Sequence, residues 1–129
     1  MMDASTPDEL LPLTPAVFHI LLVLAGADAH GYAIMLEVER LTEGKLRLGP
    51  GTLYRSIYKM VLDEFVAEVR EDPRPTDERR LTYRITRRGL QVARAEARRL
   101  DALVHVARSR GLLDDGAQPG GRARRRARA

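Results

Sequence analysis

Thr52, Arg55, Ser56 and Lys59 recur at intervals of three and four residues. At 3.6 residues per turn, that spacing gathers their hydrogen-bond donors on one face of a helix. The chemistry such a row can do is recognition of anions and base edges. An arginine pairs with guanine through two parallel hydrogen bonds, and lysines and hydroxyls meet phosphate oxygens. Tyr54 flanks the row and offers a phenol to a phosphate. Gly49 and Gly51 stand on either side of Pro50 and let the backbone come close, while the free amides of a helix start favour an anion. An ordinary amphipathic helix with a solvated polar face would show a similar pattern, so the surrounding elements decide between the two readings.

The helix carrying this row opens at Gly49-Pro50, because proline suits the first helical position, and runs to about Glu64. Leu53, Ile57, Met60 and Val61 form its inner stripe. Two helices precede it. Thr14-Pro15 is a start signal, with a capping hydroxyl followed by proline, for a helix over roughly Pro15 to Ala25. Val17, Ile20, Leu21 and Leu24 make one stripe of that helix, yet Phe18, Leu22 and Val23 fill the other side. A helix apolar nearly all round is buried on more than one face. In a chain of 129 residues, which buries only about two-thirds of its unfolded surface, the second face points to another subunit. Gly26 to His30 is predicted as a turn. Gly31 to Thr42 is a second helix with Ile34, Val38 and Leu41 inward, ended by Gly44.

After the third helix the period changes. Phe65 to Glu71 and Arg80 to Ile85 alternate in hydropathy, with a polar loop holding Pro73 and Pro75 between them, which predicts a hairpin. Thr86 caps a last helix, and Ile85 and Leu90 are spaced as a hydrophobic staple. Leu90, Ala93, Ala97, Leu100, Val104 and Ala107 then repeat at three and four, a short heptad seam with Leu103 beside it. Too short to stand alone as a coiled coil, it is expected to pair with Val17, Phe18, Leu21 and Leu22 of the first helix across a homodimer.

Three helices, a hairpin and a long helix describe a mainly α (α+β) fold: a winged helix-turn-helix domain followed by a long C-terminal dimerisation helix. The organisation expected is a flexible arm over 1–12, the winged-helix domain over 13–86, the dimerisation helix over 87–110 and a disordered basic tail over 111–129. Such a unit places its third helix in the major groove of DNA and its hairpin on adjacent backbone or minor groove. Arg70, Arg74, Arg79, Arg80 and Arg84 lie on or beside the hairpin. Glu68, Glu71, Asp72, Asp77 and Glu78 are interspersed with them, so one or two of the arginines are expected to touch DNA, with Arg74, Arg79 and Arg80 as candidates.

Composition narrows the alternatives. The chain has 22 Lys and Arg against 18 Asp and Glu, a net +4. Five arginines and two aspartates within 111–129 hold three of those four charges, so the excess belongs mostly to the tail, where it is either compositional drift toward Ala, Arg and Gly without a selected role, the favoured reading, or a source of sequence-independent affinity through counterion release. Cysteine is absent, which excludes disulfides and cysteine-ligated zinc and favours the cytoplasm. The apolar run from Ala16 to Ala27 is shorter than the roughly 20 residues a membrane span needs. His19, His30 and His105 lack metal-type spacing, and Gly49 to Thr52 lacks the lysine and spacing of a phosphate-binding loop. No nucleophile, base and orienting group converge. The expectation is no enzyme, no cofactor and no metal, with double-stranded DNA as partner. The alternative is a winged-helix module that binds protein without DNA.

Four runs taken together resemble the PadR family of transcriptional regulators: Leu13 to Leu21, His30 to Ile34, Leu48 to Arg55 and Tyr83 to Gly89. The likeness covers about Leu13 to Arg108. It implies a winged-helix domain, a C-terminal helix that dimerises against the partner's first helix, and binding to palindromic operators, usually as a repressor. Some members release DNA when a phenolic acid or hydrophobic drug binds at the dimer interface. Tyr32, Thr52, Tyr54, Arg55 and Lys59 fall where the family touches DNA, and Gly51 and Ser56 lie among them. The chain departs from the family in two respects. Glu64-Phe65 stands where a glycine usually ends the third helix, which predicts a helix end without its left-handed cap. Tryptophan is absent, so the aromatic sandwich of the drug-sensing members is not reproduced.

Overall fold

The computed structural model describes residues 6–70 and 81–114. Helix α1 spans Pro15–Gly26, where Thr14 accepts a hydrogen bond from the Val17 amide at 3.2 Å and Pro15 takes the first position. Strand β1 is Ala29–His30, α2 is Gly31–Leu41 and α3 is Pro50–Leu62. Strands β2, Val66–Arg70, and β3, Leu81–Ile85, form the hairpin, and α4 runs from Arg87 to Ser109. The chain divides into two compact units at Ala97/Arg98.

The three strands form an antiparallel sheet in the order β1-β3-β2. Val66 pairs with Ile85 and Arg70 with Leu81, while Ala29 pairs with Tyr83 and His30 with Thr82. The segment predicted as a plain turn therefore supplies an edge strand. Two residues are too few to show an alternating pattern, and β3 is what makes them extended. The expected loose arm also differs. Pro7–Leu10 is a 3-10 turn in which the Thr6 amide donates to the Glu9 carboxylate at 3.1 Å, and Leu10, Leu11 and Leu13 pack against the core.

One core gathers Ile20, Leu21 and Leu24 of α1, Ile34 and Val38 of α2, Leu53, Ile57 and Met60 of α3, Phe65, Val66, Leu81, Tyr83, and Val92 and Ala93 of α4. Burying a side chain of this size removes it from water at about 1.5–3 kcal/mol of stabilisation. Two residues expected at the subunit interface are thereby reassigned. Leu21 is wholly buried within its own chain, because the inward stripe of α1 is Ile20, Leu21 and Leu24; Leu22 is 42 % exposed on the other side, and Val17 and Phe18 are half-buried. Ala93 is likewise core. Within the chain the inward line of α4 is Gly89, Val92, Ala93 and Glu96, beside the predicted seam, whose Leu90 is half-buried and Ala97 exposed. A charged Glu96 hid this inward line from the sequence, yet it is buried and accepts a hydrogen bond from the Leu13 amide at 3.3 Å. The winged body therefore continues past residue 86 through the first half of α4.

The second unit holds the rest of α4 and a closing turn. Gly111 adopts φ 82°, and the Leu112 amide reaches back to the Ala107 carbonyl at 2.9 Å. Leu100 and Ala107 are half-buried, and Leu103 and Val104 are exposed.

Candidate nucleic-acid interface

Helix α3 presents two unlike faces because its apolar residues keep a helical period. Leu53, Ile57 and Met60 are buried, while Gly51, Thr52, Arg55 and Lys59 are exposed and Ser56 is half-buried. The Arg55 guanidinium lies 3.5 Å from the Thr52 hydroxyl, so the two residues form one polar patch. Lys59 pairs with Asp63, one turn later, at 3.3 Å. An exposed helical pair of this kind contributes about 0.3–0.5 kcal/mol, so exchanging Asp63 for a phosphate costs the lysine little.

Tyr54 occupies a different place from its sequence neighbours. Its ring lies against Gly31, the first residue of α2, so closely that a Cβ there would collide with the phenol oxygen, and the nearest ring carbons would stand 2.7–2.8 Å from it. Gly31 thus serves packing rather than backbone torsion, since any side chain there would displace the Tyr54 phenol from between α2 and α3. Tyr32, the next residue of α2, is 62 % exposed. Gly31 is a residue whose role spacing alone could not reveal, since it depends on a contact between two helices.

The two ends of α3 are both fixed. Pro50 starts the helix after Gly49. At the other end Glu64 takes φ 67°, its amide donates to the Val61 carbonyl at 3.0 Å, and the Phe65 amide reaches the Met60 carbonyl at 2.8 Å. These two bonds are the full left-handed helix closure normally built on glycine. The expectation of an uncapped end is corrected: the cap is present with glutamate in the strained position. Helix α2 ends the same way, with Glu43 at φ 54° ahead of Gly44 at φ 80°.

The start of α4 grips that α3 end. The Thr86 hydroxyl donates to the Glu64 carbonyl at 2.6 Å and accepts from the Gly89 amide at 2.9 Å, and the Thr86 amide donates to the Phe65 carbonyl at 3.0 Å. Arg88 donates to the Asp63 carbonyl at 3.1 Å and stacks over the Phe65 ring at 5.6 Å. A Cβ on Gly89 would collide with the Phe65 carbonyl oxygen and stand 2.9 Å from Ile85. The run from Thr86 to Gly89 is therefore the clamp that holds the far end of the exposed helix.

Of the hairpin arginines, Arg70 is exposed and Arg84 pairs with Asp28 at 2.8 Å, tying β3 to the residue ahead of β1. Arg84 serves the sheet. Arg74, Arg79 and Arg80, the hairpin's candidate DNA contacts, lie outside the described residues, as does most of the arginine-rich tail. The His30 ring faces the Leu81 carbonyl at 3.1 Å through Nδ1, and the His19 ring faces the Pro15 carbonyl at 2.7 Å. Both therefore act in the fold. Among the described residues, no group of His, Asp and Glu is placed to hold a metal ion, and no helix is long and apolar enough to cross a membrane.

Residues 20–95 match the model of the transcriptional regulator PadR-like family. No curated protein sequence matches the chain. Among solved structures, a transcriptional regulator from Clostridium thermocellum is similar over 73 % of this chain and 87 % of its own, at 20 % identity and a TM-score of 0.61. A PadR family transcription regulator from hypervirulent Clostridium difficile covers 74 % and is itself covered to 97 %, at 19 % identity and a TM-score of 0.60. RosR from H. salinarum covers 83 %, with 84 % of its own chain, at 23 % identity and a TM-score of 0.56. At these identities the likeness establishes the winged-helix fold.

Proposed function

The chain belongs to the PadR-like family of transcriptional regulators, which are not enzymes, and from that premise we propose that it is a cytoplasmic repressor that binds a palindromic operator as a homodimer. In this reading α3 enters the major groove, and two copies of it lie roughly 34 Å apart in successive grooves. The observation that carries the reading is the outer face of α3, where Arg55 and Thr52 form an exposed polar patch opposite a fully apolar inner stripe. Exposed apolar residues support the dimer: Leu22 on α1, and Leu103 and Val104 on the second half of α4. The family resemblance is what supports release by a small hydrophobic or phenolic effector.

Selection of bound sequences from random DNA tests the proposal. The expected product is a palindrome. Arg55→Ala is expected to weaken binding to that palindrome by about 1–3 kcal/mol, the worth of a bidentate base contact, and to relax the sequence at one position per half-site. Titration at several salt concentrations checks it, and unchanged binding would remove Arg55 from the interface. A chain that selects no DNA sequence would instead be a winged-helix module for protein partners.

A further inference from the structure

The inner stripe of α3, made by Leu53, Ile57 and Met60, defines a direction opposite which a groove-bound helix faces DNA. Arg55, Tyr58 and Leu62 follow one another at intervals of three and four, and helical geometry puts all three within roughly 50° of that opposite direction. Tyr58 is 67 % exposed and Leu62 is 61 % exposed. Tyr58 lies one turn after Arg55, on the face the proposed function assigns to the major groove. Its neighbour Lys59 is engaged with Asp63, whereas Tyr54, the other tyrosine of the helix, is half-buried with its ring packed against Gly31.

Resting on the DNA-binding reading above, we propose that Tyr58 is a specificity-determining residue, reading the base pair next to the one that Arg55 reads. Two features of the major groove suit an aromatic phenol there: the thymine methyl group, which takes apolar contact, and the acceptor atoms of purine and thymine edges, which take a donated hydrogen bond. The ring supplies the first and the hydroxyl the second. A tyrosine carries no charge, so its contribution is to sequence discrimination, and the salt dependence, which counts phosphates neutralised by cations, stays with the basic residues.

The test uses the full-length protein in three forms: wild type, Tyr58→Phe and Tyr58→Ala. Each is passed through selection from random DNA, followed by titration of the wild-type site and of single-base variants at two salt concentrations. Wild type is expected to select a palindrome. Tyr58→Ala is expected to lose about tenfold in discrimination at one position per half-site, adjacent to the Arg55-dependent one, with its salt slope and its binding to random DNA unchanged. Tyr58→Phe separates the parts: discrimination kept assigns the contact to the ring, and discrimination lost assigns it to the hydroxyl. A wild type that selects a palindrome while Tyr58→Ala selects the same one with equal stringency overturns this proposal alone. A wild type that selects nothing overturns the DNA-binding reading and this proposal with it.

Discussion

The two stretches of α4, 87–97 and 98–109, draw on much the same residues: alanine, arginine, leucine and valine recur in both. They differ in what they bury. In the first, Gly89, Val92, Ala93, Ala95 and Glu96 are buried. In the second, Leu103, Val104 and Val106 are 53 %, 38 % and 46 % exposed. A period of three and four residues thus marks where a helix wants a partner without saying whether that partner is its own chain. Small residues and a hydrogen-bonded charge decide it in the first stretch. Gly89 admits the Phe65 carbonyl, and Glu96 is buried because a backbone amide meets it.

This contrast can be broken first at Gly89. Gly89→Val would push a branched side chain into the Phe65 backbone, and overpacking against a group that cannot rotate away is expected to destabilise the body by about 3 kcal/mol or more. Chemical denaturation would measure it, and an unchanged midpoint would show that α4 does not seat on the end of α3. The second stretch should respond in the opposite sense. Leu103→Asp with Val104→Asp is expected to leave the helical circular dichroism intact and to convert the proposed dimer to monomer in light scattering. Loss of fold instead would mean that these side chains are needed within the chain. The smallest effect concerns two helix-ending turns, the one at the end of α3 on which the first stretch seats and the one that ends the second stretch. Gly111 and Glu64 both occupy the left-handed position of the same closure, but a side chain there costs about 1–2 kcal/mol. Glu64→Gly is expected to recover about 1 kcal/mol, less the entropy that glycine adds to the unfolded chain. A destabilised variant would show that the Glu64 side chain itself holds the turn.

Much of this architecture was legible from spacing. The Thr14 cap, the inner stripe of α3 and the hairpin all follow from local residue preferences that the rest of the fold reinforces. What escaped depends on other segments. Strand β1 exists because β3 pairs with it, and the inward face of α4 includes Glu96, which no hydropathy pattern suggests. The closure at Glu64 escaped for a related reason. Glutamate disfavours that backbone, and it is held there by the Thr86 and Arg88 bonds to the carbonyls of Asp63 to Phe65. Within the candidate interface, the polar row of α3 was legible, whereas the different surroundings of Tyr54 and Tyr58 were not. Helical position turns Tyr58 toward the outer face and Tyr54 toward its flank, and the contact of Tyr54 with Gly31 is what the sequence does not show.

The bond from the Leu13 amide to Glu96 joins residues 83 positions apart. During synthesis, Leu13 leaves the ribosome long before Glu96 has been added, and at about 5–20 residues per second that interval lasts several seconds. Throughout it, the surface that Val92 and Glu96 will cover stays open to water, to chaperones and to other nascent chains. The winged body is thus completed late, by the segment that also leads into the exposed leucine and valine of the second stretch. Completion of the body and appearance of that exposed apolar stretch arrive nearly together.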